Sequence, residues 1–147
     1  MNGKERVNLS KVIEKMNLVN LTPDIDVKGI WIHVPEFNRP ALQLTGFYDQ
    51  FDNDRIQIIG NVEYSYLKSL SETERFERYM QLLSSNIPCL IFCRNLEPEP
   101  EIIELAKKYQ IPILKSEEST SSFSAEVIRW LKVQLAPCIV IHGVLVD

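Results

Sequence analysis

The chain is poor in glycine, with five among 147 residues and none clustered. That excludes a glycine-rich phosphate loop and a G-x-S-x-G nucleophile turn within these residues. Long apolar runs are missing too: none approaches the roughly 20 residues that a membrane helix needs. No apolar stretch follows the charged residues 1–6, so no secretory signal is read there. Positive charge is not in excess. Sixteen Lys and Arg face 20 Asp and Glu, for a net charge of −4, which removes the electrostatic case for nucleic-acid binding. Cysteine is scarce and odd in number, at three. That count fits reduced thiols in a cytoplasmic protein better than a disulfide framework.

What is present is core material. At 45% hydrophobic and 24% charged residues, the chain reads as one globular domain with no membrane segment and enough length to bury a core. Leu9, Val12, Ile13 and Met16 sit at helical spacing behind Asn8 as a cap. Residues 29–34 read as a strand stopped by Pro35. Residues 40–45 read as a short helix with Pro at its start and Gly46 at its end. Residues 56–59 form an apolar strand, and one or two helical turns follow at 64–70. Ser71 and Glu74 then make a capping box before Phe76, Tyr79, Met80 and Leu83. Residues 89–93 are a strand and 99–109 a helix, acidic at its start and basic at its end. Residues 111–114 are a strand, and a polar loop at 116–122 leads into a helix through Leu135. This β-α-β-α-β-α-β alternation from Ile56 predicts an α/β fold, a mostly parallel sheet with helices on both faces.

Several residue groups invite a chemical reading. Cys89 and Cys93 lie four apart, as do Cys138 and His142. Strand positions four apart are about 13 Å from one another, too far to share a metal held at about 2.3 Å, so buried thiols are expected and no metal site. Glu97, Glu99, Glu101 and Glu104 crowd a helix start, where the dipole favours them. Asp49, Asp52, Asn53 and Asp54 lack the central glycine and distal glutamate of a calcium loop. The serines at 116–122 precede a helix and read as caps, with Glu117 and Glu118 repelling any anion. Asn38, Arg39, Gln43, Asn61 and Arg94 lie near expected strand ends, where α/β sheets bind ligands. Arg39, Asn61 and Arg94 are the candidate ligand-binding set, for a nucleotide or sugar phosphate, although solvated or paired arginines are the commoner outcome. His33 has no identifiable partner. His142 sits inside an apolar run and needs a hydrogen bond or a cavity.

That last run, residues 139–147, is β-branched and reads as one strand buried on both faces, whose partners belong to a following domain. Residues 1–135 would then form an N-terminal domain, and 136–147 the first strand of the next.

Three stretches taken together resemble the amino-terminal part of bacterial HPr kinase/phosphorylase. They are Asn38-Arg39-Pro40-Ala41-Leu42-Gln43-Leu44-Thr45-Gly46-Phe47-Tyr48, Asp54-Arg55-Ile56-Gln57-Ile58-Ile59-Gly60-Asn61-Val62-Glu63, and Ile141-His142-Gly143-Val144-Leu145-Val146-Asp147. Arg94-Asn95-Leu96-Glu97-Pro98 and Ile111-Pro112-Ile113 add to the likeness, while Ala41 departs from the family's usual glycine. The resemblance implies a Rossmann-like three-layer domain similar to the N-terminal domain of Mur ligases. It implies a parent about twice as long, typically hexameric and cytoplasmic, with a Walker A kinase domain downstream. That parent uses ATP or pyrophosphate with Mg²⁺ to phosphorylate a regulatory serine of HPr and removes the phosphate by phosphorolysis, controlling carbon catabolite repression. By the same resemblance His142 is an active-site residue of the full-length enzyme. These residues alone would form a non-catalytic regulatory or assembly domain needing no cofactor. A small-ligand sensor and a plain subunit-contact module are the alternatives.

Overall fold

The computed structural model describes residues 6–136 and, for the backbone alone, 139–141 and 144–146. Cys138 and His142 lie outside the described residues.

In chain order the elements are β1 (Val7–Asn8), α1 (Leu9–Lys15), β2 (Val19–Asn20), β3 (Trp31–Ile32), β4 (Phe37–Asn38), α2 (Ala41–Leu44), β5 (Ile56–Ile59), α3 (Asn61–Ser69), α4 (Glu72–Leu83), β6 (Leu90–Phe92), α5 (Pro100–Tyr109), β7 (Ile113–Lys115), α6 (Thr120–Leu135), β8 (Ile139–Ile141) and β9 (Val144–Val146). The main sheet has the order β2-β7-β6-β5-β4. β4, β5, β6 and β7 run parallel, and β2 closes one edge antiparallel to β7. β1 and β3 form a separate antiparallel pair.

Alternation along the strands sorts side chains into two cores. Ile56, Ile58, Cys89, Ile91, Cys93 and Leu114 face Val12 of α1 and Phe123, Val127 and Leu131 of α6. Ile59, Leu90, Phe92 and Ile113 face Leu67, Tyr79, Leu82, Ile102, Leu105 and Ala106 of α3, α4 and α5. Helices therefore cover both faces, which is the three-layer α/β arrangement the alternating pattern predicts. Burying a side chain such as Ile91 or Phe92 contributes about 1.5–3 kcal/mol.

The helix ends follow local chemistry. Asn8 accepts from the Ser10 N–H, and Ser71 and Glu74 form the expected capping box. Gly46, with φ +99°, ends α2 where a side chain would strain the backbone. Residues 139–147 depart from the expected single strand. The described backbone there comprises β8 and β9, which pair antiparallel with each other and not with the main sheet.

Candidate functional site

The parallel strands end on one side of the sheet. Arg39 follows β4, Gly60 follows β5, Cys93 follows β6 and Ser116 follows β7. From this edge α3 packs on one face and α6 on the other. Helices departing to opposite faces open the crevice in which α/β sheets bind ligands.

Gly60 is the point of convergence. A Cβ built there would lie 2.6 Å from Arg39 Nη2 and 2.6 Å from Thr120 Oγ1. Its φ of −112° suits any residue, so crowding, not backbone strain, demands glycine. The ends of β4 and β5 and the start of α6 thus meet over one Cα.

Arg39 Nη2 donates to Glu63 Oε1 at 2.7 Å, and the Gly60 N–H donates to the same oxygen at 2.8 Å. Glu63 is 3% exposed and the Arg39 side chain 36%. One carboxylate therefore caps the first turn of α3 and neutralises the arginine beside it. Arg39 Nε and Thr120 Oγ1 are buried without a hydrogen-bond partner. Burial pushes the neighbouring Cys93 thiol up to about 12, against the pull of Arg39, so it is no nucleophile at neutral pH.

After β6, Cys93 O accepts from the Leu96 N–H at 3.2 Å across Arg94 and Asn95, whose φ angles are +59° and +56°. Two successive left-handed residues make a type I′ turn. The turn is pinned to the loop after β7: the Arg94 N–H donates to Glu118 O at 2.7 Å, and the Asn95 N–H to Ser116 O at 2.8 Å. Both side chains are exposed at the sheet edge.

Of the expected ligand set, Arg39 lies at the Gly60 junction, committed in part to Glu63. Asn61 opens α3 and is exposed, and Arg94 stands exposed on the next strand's turn. Among the described residues no hydrogen bond or ion pair joins the three. Asn38 and Gln43 serve the interior instead: Asn38 Nδ2 donates to Gln57 Oε1 at 2.8 Å and to Gln43 Oε1 at 3.3 Å. Gln57 is itself fully buried and donates to the Arg55 carbonyl at 2.9 Å. Sequence reading passed over Glu63 and Gln57. The Gly60-x-x-Glu63 spacing at a helix start was the signal for the first, and a lone polar residue in an apolar strand for the second.

The remaining candidates resolve structurally. Ser119 caps α6 through the Ser122 N–H, and Ser116 Oγ accepts from the Glu118 N–H. Glu99 is buried at the start of α5, where it accepts from the Tyr79 hydroxyl at 2.8 Å and pairs with Lys68 at 3.2 Å. Glu97 pairs with Lys115, and Asp52 with Arg55. Cys89 and Cys93 are free and buried. His33 is exposed. Among the described residues no three His, Cys, Asp or Glu side chains group closely enough to hold a metal ion, and no helix is long and apolar enough to cross a membrane.

A family model described as HPr Serine kinase N terminus matches residues 7–131. The HPr kinase/phosphorylase of Lachnoclostridium phytofermentans is 54% identical over 141 residues, covering 96% of this chain and 46% of that protein. That of Alkaliphilus metalliredigens is 41% identical over 141 residues, covering 96% and 45%. The chain thus spans about half the length of the curated relatives it matches. A solved structure, the CBS and DRTGG domains of the regulatory region of Clostridium perfringens pyrophosphatase complexed with its activator diadenosine tetraphosphate, is similar with a TM-score of 0.57. At 17% identity, over 82% of this chain and 46% of that one, the likeness is one of fold.

Proposed function

Since the chain belongs to the HPr kinase/phosphorylase family, through that family's N-terminal region, we propose that it is the regulatory and assembly portion of such an enzyme, without catalytic activity of its own. One observation carries the reading: the family match falls on residues that contain no glycine-rich phosphate loop. Phosphoryl transfer needs a phosphate cradle and a metal. The glycines are too few and scattered for the first, and among the described residues no three His, Cys, Asp or Glu side chains group to hold a metal ion. These residues do not fit ATP with Mg²⁺. In this proposal the cradle, the metal ligands and the contacts to the HPr serine lie in the part of the relatives that this chain does not span. Residues 136–147 lead into that part, with His142 contributing to its site. A hexameric, cytoplasmic parent acting in carbon catabolite repression follows from the same reading. The test is incubation of the purified chain with HPr, Mg²⁺ and either ATP or pyrophosphate. Phosphoserine on HPr would refute the proposal.

A second reading, a small-ligand sensor, draws support from the sheet edge. There Arg94 and Asn95 are held in left-handed backbone with exposed side chains, beside the crowded Arg39–Gly60–Thr120 junction. Backbone strain of this kind collects at ligand-binding sites. Calorimetry against nucleotides and sugar phosphates tests it, with heat expected from the chain and lost in Arg39→Gln or Arg94→Gln. A flat response across the panel retires the sensor reading and leaves the first untouched.

A further inference from the structure

On the face of the sheet covered by α1 and α6, the charge has the sign that the chain as a whole lacks. These two helices carry Lys11, Lys15, Arg129 and Lys132 against Glu14 and Glu126. They are net positive on a chain whose net charge is −4. All four cations are exposed. Among the described residues none of them takes part in an ion pair. Lys11 and Lys15 are four apart, and Arg129 and Lys132 three apart, so like charges neighbour each other along each helix. Such pairs repel and weaken a helix when nothing opposes them.

Between the end of α1 and the second half of α6 lies a hollow of about 300 Å³, lined by Lys15, Glu126, Arg129, Trp130 and Val133. Trp130 packs against the core cluster and stays partly exposed. Val133 is 60% exposed. An apolar floor thus lies beside two cations that have no carboxylate within the chain. The volume is at the low end of the roughly 300–1,000 Å³ of ligand cavities, which is room for one large side chain. Glu126 is the only carboxylate of the lining. It faces Glu118, whose carboxyl is pushed up by burial and by the charge of Glu126. That end repels acidic residues and leaves Lys15 and Arg129 to receive them.

We propose that this groove docks a short acidic segment of a partner protein. One large apolar side chain of the segment sits on Trp130 and Val133, and its carboxylates pair with Lys15 and Arg129. Charge complementarity selects that occupant. A second copy of this chain, packed through the same face about a two-fold axis, would set these cations against one another. The groove is separate from the Arg39 edge and does not depend on the function proposed above.

The test uses the whole chain carrying Trp31→Phe, which leaves Trp130 as its one tryptophan. The probe is a capped synthetic pentapeptide with leucine between pairs of glutamates, titrated at low ionic strength while Trp130 fluorescence is followed. A saturable change is expected, and added salt is expected to weaken it. The double variant Lys15→Gln, Arg129→Gln is expected to weaken binding about tenfold or more. Replacing the peptide's leucine by alanine is expected to weaken it by a smaller factor, and Arg39→Gln to leave it unchanged. If Trp31→Phe fails to fold, the Trp130 indole N–H signal of the unaltered chain gives the same readout by NMR. No saturable change, an equal response to a peptide with lysines in place of glutamates, or binding unaltered in the double variant overturns the proposal. Free glutamate matching the peptide also overturns it, in favour of a small anion. Self-association by light scattering that is lost in the double variant overturns it in favour of a second copy.

Discussion

Glu63 binds Arg39 at 2.7 Å from a position that is 3% exposed, and with the same oxygen it caps the helix that follows Gly60. The sheet edge is therefore held by a carboxylate that has left water almost completely. Replacing it by glutamine keeps the shape but leaves the guanidinium without its counter-ion. Because the arginine is about a third exposed, solvent screens part of the loss. Glu63→Gln is expected to cost about 1–3 kcal/mol in urea unfolding. An unchanged midpoint would mean the pair is structurally idle.

Gly60 and Gly29 should behave oppositely. A methyl group on Gly60 meets Arg39 and Thr120 at 2.6 Å, whereas one on Gly29 meets nothing within 4 Å. Gly60→Ala is expected to destabilise by about 1–3 kcal/mol, and Gly29→Ala to stay within about 1 kcal/mol of the parent chain. Thermal unfolding of the two variants side by side checks the contrast.

Glu99 sets a pH dependence. Burial pushes its carboxyl up, but hydrogen bonds from Tyr79 and Lys68 and the charge of Lys68 outweigh that and hold it below the usual carboxylate range. A depressed folded-state value stabilises the fold above the unfolded carboxyl's pKa, and that contribution drains away as pH falls through the folded value. The stability gap between the parent chain and Glu99→Gln should therefore be full at neutral pH and shrink in acid. A gap that does not change with pH would contradict the assignment.

Thiol reactivity offers an independent probe. Burial pushes both Cys89 and Cys93 up to about 12. In the folded chain at pH 8 neither should react with a disulfide reagent, and both should react in urea. Prompt labelling of either in native buffer would show the core to be more open than described.

How much of this was readable in the sequence varies element by element. The helix starts at Asn8 and Ser71 were legible because a cap is a local hydrogen bond between near neighbours. The strand through Ile91 was legible because a short, continuous apolar run marks a strand buried on both faces. The two-residue strands β1, β2 and β4 were not, since so short a pairing leaves no pattern and is imposed by partners far along the chain. The same limit applies to the edge. Arg39 was placed there by its position after a strand, but its tie to Glu63, 24 residues on, and its approach with Thr120 to Gly60 are products of topology. Residues 139–146 read as one strand by composition, while the described backbone divides them into two paired strands, a choice the apolar run alone does not encode.

The proposed function stands or falls on phosphoryl transfer. The measurement is intact-mass analysis of HPr after incubation with Mg²⁺ and ATP or pyrophosphate, in the presence of this chain alone and, separately, of a full-length relative. The account predicts modified HPr with the full-length enzyme and unmodified HPr with this chain. Phosphorylated HPr in the sample holding only this chain would contradict it.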